Sequence, residues 1–71
     1  MASMYKLPDA SIVNLCIYDI SGRLVSELVN GWRGAGVHEV TWDASGFTSG
    51  VYFAVMNAGE FKQTKKLLLL K

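Results

Sequence analysis

Apolar and polar residues alternate in short runs along nearly all of this chain, with turn-forming residues between the runs. In the opening run, Val13, Leu15 and Ile17 fall on one face of an extended segment, and Asn14, Cys16 and Tyr18 fall on the other. Asp19 to Gly22 interrupts it. Asp and Ser side chains hydrogen-bond nearby backbone, and Gly takes a positive φ without a Cβ clash. Extended chain resumes at Arg23-Leu24-Val25, which predicts strand, tight reversal, strand. Arg23 to Val29 also carries helical spacing in Leu24, Val25 and Leu28, but Val25, Val29 and the short length favour a strand. Asn30-Gly31 is expected to end it, leaving Trp32 in a loop crowded by Gly31, Gly34 and Gly36.

Val37 to Trp42 is the clearest alternation. His38, Val40 and Trp42 share one face and Val37, Glu39 and Thr41 the other, so Val40 and Trp42 should face the core and Glu39 and Thr41 the solvent. Asp43 to Gly46 is a further turn. Val51 to Asn57 is apolar on both faces, as in a central strand. Ala58-Gly59-Glu60 closes a hairpin into a last strand, Phe61 to Leu70. Before all of these, Tyr5-Lys6-Leu7 ahead of Pro8 reads as the tail of an edge strand, because proline cannot donate to a ladder. Turn signals at intervals of roughly ten residues between β-rich runs are the mark of an antiparallel sandwich. The expected fold is all-β, a small antiparallel immunoglobulin-like β-sandwich of about six to seven strands. Residues 1–4 read as an added start and residues 5–71 as one domain.

Length and composition narrow the function classes. Seventy-one residues make one small domain, burying roughly 60% of its unfolded surface. A 51% apolar content argues against disorder, and a net charge of +1 leaves no electrostatic case for nucleic acid or an anionic membrane. The longest leucine run, Leu67 to Leu70, is far too short to span a bilayer, and Met1 to Met4 lacks the apolar stretch of a secretory signal. The lone Cys16 rules out an internal disulfide and reads as a small buried hydrophobe rather than a reactive thiol. His38 is the only histidine, and Asp9, Asp19, Glu27, Glu39, Asp43 and Glu60 are scattered singly. No metal set, nucleophile–base pair, phosphate loop or cofactor-binding motif emerges. The chain reads as non-catalytic. Trp32 is either a lid folded onto the sandwich edge or an aromatic presented to a sugar or a partner.

Four blocks in order carry a resemblance: Ile17-Tyr18-Asp19-Ile20-Ser21-Gly22-Arg23-Leu24-Val25, Ala35-Gly36-Val37-His38-Glu39-Val40-Thr41-Trp42-Asp43, Ser49-Gly50-Val51-Tyr52-Phe53, and Gln63-Thr64-Lys65-Lys66-Leu67-Leu68-Leu69-Leu70-Lys71. Together they resemble the C-terminal sorting domain (type A) of proteins exported by the type IX secretion system in Bacteroidetes and related bacteria. The pattern is also similar to the immunoglobulin-like domain of the flagellar hook-cap protein. The resemblance implies a non-catalytic sorting and anchoring module, at the end of a larger secreted or cell-surface protein. Its partners would be the outer-membrane secretion machinery or a sortase. Carried over by position, recognition would rest on Lys65, Lys66, Leu67, Leu68, Leu69, Leu70 and Lys71, with Asp19, Gly22 and Arg23 marking the turn. For that turn a purely structural role is the simpler account, with Gly22 at positive φ and Arg23 stacked over the next strand.

The chain departs from the family pattern at its start, where only Tyr5-Lys6-Leu7-Pro8 matches, which implies a short or incomplete first strand. An edge left open there would suit homo-oligomerisation. Val55, with Val51 and Phe53, would add an apolar outer patch. The competing reading is a binding or assembly sandwich that holds a protein or a carbohydrate through its faces or through Trp32.

Overall fold

The computed structural model describes residues 1–71 and contains six strands and no helix. They are β1 (Ala2–Leu7), β2 (Ser11–Asp19), β3 (Leu24–Arg33), β4 (Gly36–Thr41), β5 (Gly50–Ala58) and β6 (Phe61–Leu69). All pairings are antiparallel. One sheet has four strands in the order β3-β2-β5-β6, and the other has two, β1-β4. This is the expected all-β sandwich, with layers of unequal width. Strand β1 begins at Ala2, so the residues read as lying ahead of the domain are paired, and β1 matches β4 at all six positions from Ala2↔Thr41 to Leu7↔Gly36.

The apolar pattern explains the layering. Val13, Leu15 and Ile17 of β2 are buried with Tyr52, Met56 and Ala58 of β5, so the two central strands present one face to the small sheet. The small sheet returns Leu7 and, just past β4, Trp42. One cluster joins Leu7, Val13, Leu15, Val29, Met56 and Ala58. A second joins Ile17, Trp42, Ala44, Tyr52 and Leu69. In the second, the Trp42 ring lies 5.1 Å from Tyr52 and 5.4 Å from Phe47, edge-on or tilted, as ring quadrupoles favour. The Tyr52 hydroxyl donates to the Thr48 carbonyl oxygen at 2.7 Å, so a buried phenol is satisfied by backbone just upstream of its own strand.

Strand β3 accounts for the helical spacing noted in its sequence. Its ladder with β2 slips twice, between Leu15 and Cys16 and between Ile17 and Tyr18. Leu15 pairs with Val29 and Cys16 with Glu27, which leaves Leu28 over; Ile17 pairs with Ser26 and Tyr18 with Leu24, which leaves Val25 over. A bulge re-aims the extra side chain, and both Leu28 and Val25 pack against the core. Val25 and Leu28, two of the residues that mimic a helix face, are therefore strand residues turned inward by bulges.

Two expectations are corrected here. Asn30-Gly31 does not end β3, which runs on to Arg33 with Gly31 paired to Val13 and Trp32 to Ile12. Gly31 has a φ of +156°, which side chains avoid, yet the backbone stays extended; glycine is used inside the strand and not as its stop. Trp32 is accordingly a strand residue and no lid, with 65% of its surface exposed. Cys16 is buried although alternation puts it opposite Ile17, because β2 is central and Glu27 and Val55 flank it on either side.

The second cluster makes a graded prediction. Trp42→Ala should cost about 3–5 kcal/mol through the cavity it leaves, and Tyr52→Phe about 1 kcal/mol for one hydrogen bond. Urea denaturation of the two variants tests the ordering, and equal losses would contradict the assigned role of Trp42.

Candidate functional site

The segment from Lys65 to Lys71 is divided by the pleat of β6. Leu69 is buried and Leu67 half-buried, and both pack with Ile17, Trp42, Ala44 and Tyr52. The alternate residues Lys66 and Leu68 face outward beside their β5 partners Phe53 and Val51. Leu68 is 58% exposed, and Leu70, just beyond the strand, is 76% exposed. Two of the seven residues, Leu67 and Leu69, therefore belong to the core, and the outward face offers Lys66, Leu68 and Leu70 to another molecule. Lys65 lies on the inner side of β6, facing the gap between the sheets.

The turn after β2 is built around one carboxylate. Asp19 Oδ1 accepts from the Ser21 N–H at 2.9 Å, the Ser21 hydroxyl at 2.7 Å and the Arg23 N–H at 3.0 Å, while Oδ2 accepts from Arg23 Nε at 3.1 Å. Backbone bonds from Gly22 N–H to Asp19 O and from Asp19 N–H to Arg23 O close the loop at 3.0 Å each. Gly22 sits at φ +87° with open space where a Cβ would go, so conformation and not crowding requires the glycine. The Ser21 hydroxyl first, then the Arg23 backbone N–H, hold the Asp19 carboxyl ionised and lower its pKa from 3.8 to about 2. Arg23 does not lie over a strand: its side chain is 82% exposed and reaches back to Asp19.

Turn and tail lie at the same end of the large sheet, one strand apart. Asp19 pairs with Tyr52, which pairs with Leu67; Tyr18 pairs with Phe53, which pairs with Lys66. The segment from Asp43 to Ser49 links them. It packs Phe47 against Trp42, and its residues Phe47 to Ser49 share a shallow cleft of about 470 Å³ with Asp19, Ser21 and Arg23. On the other side it holds the chain end: Lys71 N–H donates to Ser49 Oγ and Lys71 Nζ to the Ser45 carbonyl oxygen, both at 2.9 Å. Ser45 also donates its N–H to Asp43 Oδ1, which lowers the Asp43 pKa. Ser45 and Ser49 were not singled out by the sequence. Their partner lies more than twenty residues away, and no local pattern announces it.

The remaining candidates stand apart. Trp32 and Ile12, both exposed, form a cross-strand pair at the opposite end of the outer face. His38 places Nε2 2.7 Å from the Gly34 carbonyl oxygen, stacks on Tyr5 at 5.3 Å and makes no ion pair with a carboxylate. The Cys16 thiol donates to Asn14 Oδ1 at 3.2 Å; burial first, then the neighbouring Glu27 carboxylate, raises its pKa and keeps it protonated. No three His, Cys, Asp or Glu side chains converge on a point that would hold a metal ion. No helix is long and apolar enough to cross a membrane.

Comparison with known proteins gives one match. The profile of the secretion system C-terminal sorting domain aligns with residues 4–70, almost the whole chain. No curated protein and no solved structure matches it.

The turn generates a pH prediction. The Asp19 carboxyl has a folded-state pKa below its unfolded one, so its contribution is complete above pH 4 and is lost as pH falls toward about 2. Asp19→Asn should lower the melting temperature at neutral pH and flatten its fall across that acid window. A parallel fall in both proteins would show that the turn carboxylate is not the group responsible.

Proposed function

Because the chain belongs to the family of secretion-system C-terminal sorting domains, we propose that it serves as a folded export address for a larger cargo protein. Domains of this family occur on secreted or cell-surface proteins. In this reading the domain carries out no chemistry. The outer-membrane secretion machinery reads it, and a surface sortase removes it. The family match over residues 4–70 carries the reading.

The division of the tail supplies the mechanism. Leu67 and Leu69 lock β6 into the core, so the segment is presented as a rigid strand and not as a flexible peptide. The reader then meets a fixed pattern of one cation and two apolar side chains, Lys66, Leu68 and Leu70, continued inward over Phe53 and Val51. A preformed pattern of this kind avoids most of the ordering entropy that a disordered signal would lose on binding. The Asp19–Arg23 turn keeps the neighbouring end of the sheet in shape. In this account it has a positioning role.

The test is a reporter fused ahead of Met1 and expressed in a host with an intact type IX system. The fusion is expected at the surface or in the medium. Changing Leu68 and Leu70 to Asp should cut export about tenfold or more while the isolated domain keeps its melting transition, since neither side chain is buried. Retention of the unaltered fusion in the periplasm would falsify the proposed function.

A second reading has one observation in its favour. The exposed Trp32–Ile12 pair is an apolar spot on an otherwise asparagine-rich end of the sheet, beside Asn14 and Asn30. A sugar or protein contact there predicts that Trp32→Ala lowers glycan-array or cargo binding without affecting export. No binding by the unaltered domain at millimolar ligand removes it.

A further inference from the structure

The two sheets differ in width, and the difference leaves a gap. Neighbouring strands lie about 4.8 Å apart, so a two-stranded layer covers only about half of a four-stranded one. On the inner side of β6, Gln63 and Lys65 stay exposed, whereas Tyr52, Met56 and Ala58 of β5 are buried. A cleft of about 90 Å³ opens there between Ser3 and Tyr5 of β1 and Gln63, Lys65 and Leu67 of β6. Its floor is apolar, formed by Ile17, Ala54 and Met56.

Three properties of this cleft identify what fits it. The first is a free backbone edge. Met1 and Trp42 exchange both main-chain bonds, at 2.7 and 2.8 Å. In an antiparallel ladder such pairs alternate, so Ser3, Tyr5 and Leu7 also bond to β4, and Ala2, Met4 and Lys6 direct their N–H and C=O groups away from it. The second is an unpartnered donor. The indole Nε1 of Trp42 is buried without a hydrogen-bond partner, and Trp42 is 2% exposed and lines this cleft. A buried donor of that kind calls for an acceptor. The third is charge. Lys65 stands at the rim, and Arg23–Asp19 is the single ion pair of the molecule, so Lys65 has no counter-charge.

We propose that this cleft takes an extended segment of another protein, which adds as a third strand to the free edge of β1. Its alternate apolar side chains lie against Ala54 and Leu67, an acceptor meets Trp42 Nε1, and an Asp or Glu meets Lys65. Strand addition of this kind draws affinity from main-chain bonds and specificity from alternate side chains. A second copy of this chain fits poorly. The strands that border the cleft, β1 and β6, carry Lys6, Lys62, Lys65 and Lys66 and no carboxylate. A symmetric pairing there would bring like charges together. The inference goes beyond the export reading and stands without it, since it concerns β1 and the inner face and not the outward residues of the tail.

The probe is a synthetic eight-residue peptide of alternating Val and Glu with blocked ends; its counterpart with Lys in place of Glu is the control. Titration is followed on the whole chain by amide and indole NMR. The expected result is a shift of the Trp42 indole N–H, slowed exchange of the Ala2, Met4 and Lys6 amides, and binding at least about tenfold tighter than for the Lys peptide. Met4→Pro removes one outward N–H that the β1–β4 ladder does not use and should weaken binding about tenfold while preserving the fold. Lys65→Glu provides an independent variant and should reverse the preference between the two peptides. The proposal is overturned if millimolar Glu peptide leaves the β1 amides unchanged, or if the shifts fall on the edge of β3. It is also overturned if sedimentation finds a dimer of the chain alone that Met4→Pro abolishes, which would make a second copy the occupant.

Discussion

The burial of Trp42 is the constraint on which the molecule depends. A two-stranded sheet has too little apolar surface to hold a four-stranded partner by itself, and here the deficit is made up by one large side chain at the exit of β4. Trp42 touches β2 through Ile17, β5 through Tyr52 and β6 through Leu69. Its backbone closes the start of β1 through Met1. The connection that follows it is kept short by Ala44 and Phe47, which fold back against the same ring. Both candidate recognition features, the β2–β3 turn and the β6 tail, border this cluster, so their relative position is fixed by the packing of one indole.

Much of this architecture was legible in the sequence, for identifiable reasons. Where a strand has one wet face, its alternation reports the environment directly, and Val37 to Trp42 placed Val40 and Trp42 inward without error. Where a strand is flanked by neighbours on both edges, as β5 is, the loss of alternation is the signal, with Val51, Phe53 and Val55 half-buried on its outer face. The Asp19–Gly22 turn was readable because its chemistry is local: every partner of the carboxylate lies within four residues.

Two local features of β3 blur its pattern. Gly31 and Trp32 read as loop because glycine is a usual stop, whereas this glycine adopts an extended conformation that only the pairing with Val13 reveals. Leu28 and Val25 suggested helical spacing because a bulge adds a residue and briefly spoils the two-residue period. At the candidate site, the outward set Lys66, Leu68 and Leu70 follows from simple alternation. The grip of Ser45 and Ser49 on Lys71 does not, because long-range side-chain bonds leave no trace in local pattern.

The place of Leu69 in chain order has a consequence for how the domain is made. The second cluster draws Ile17 from early in the chain, Trp42 from its middle and Leu69 from its last strand. During synthesis the first two are available long before the third, and until β6 arrives the Trp42–Tyr52 surface has nothing to close it. Folding of this half therefore waits for the end of the domain to be released, and a chain broken off before Leu67 is left with a sticky aromatic face.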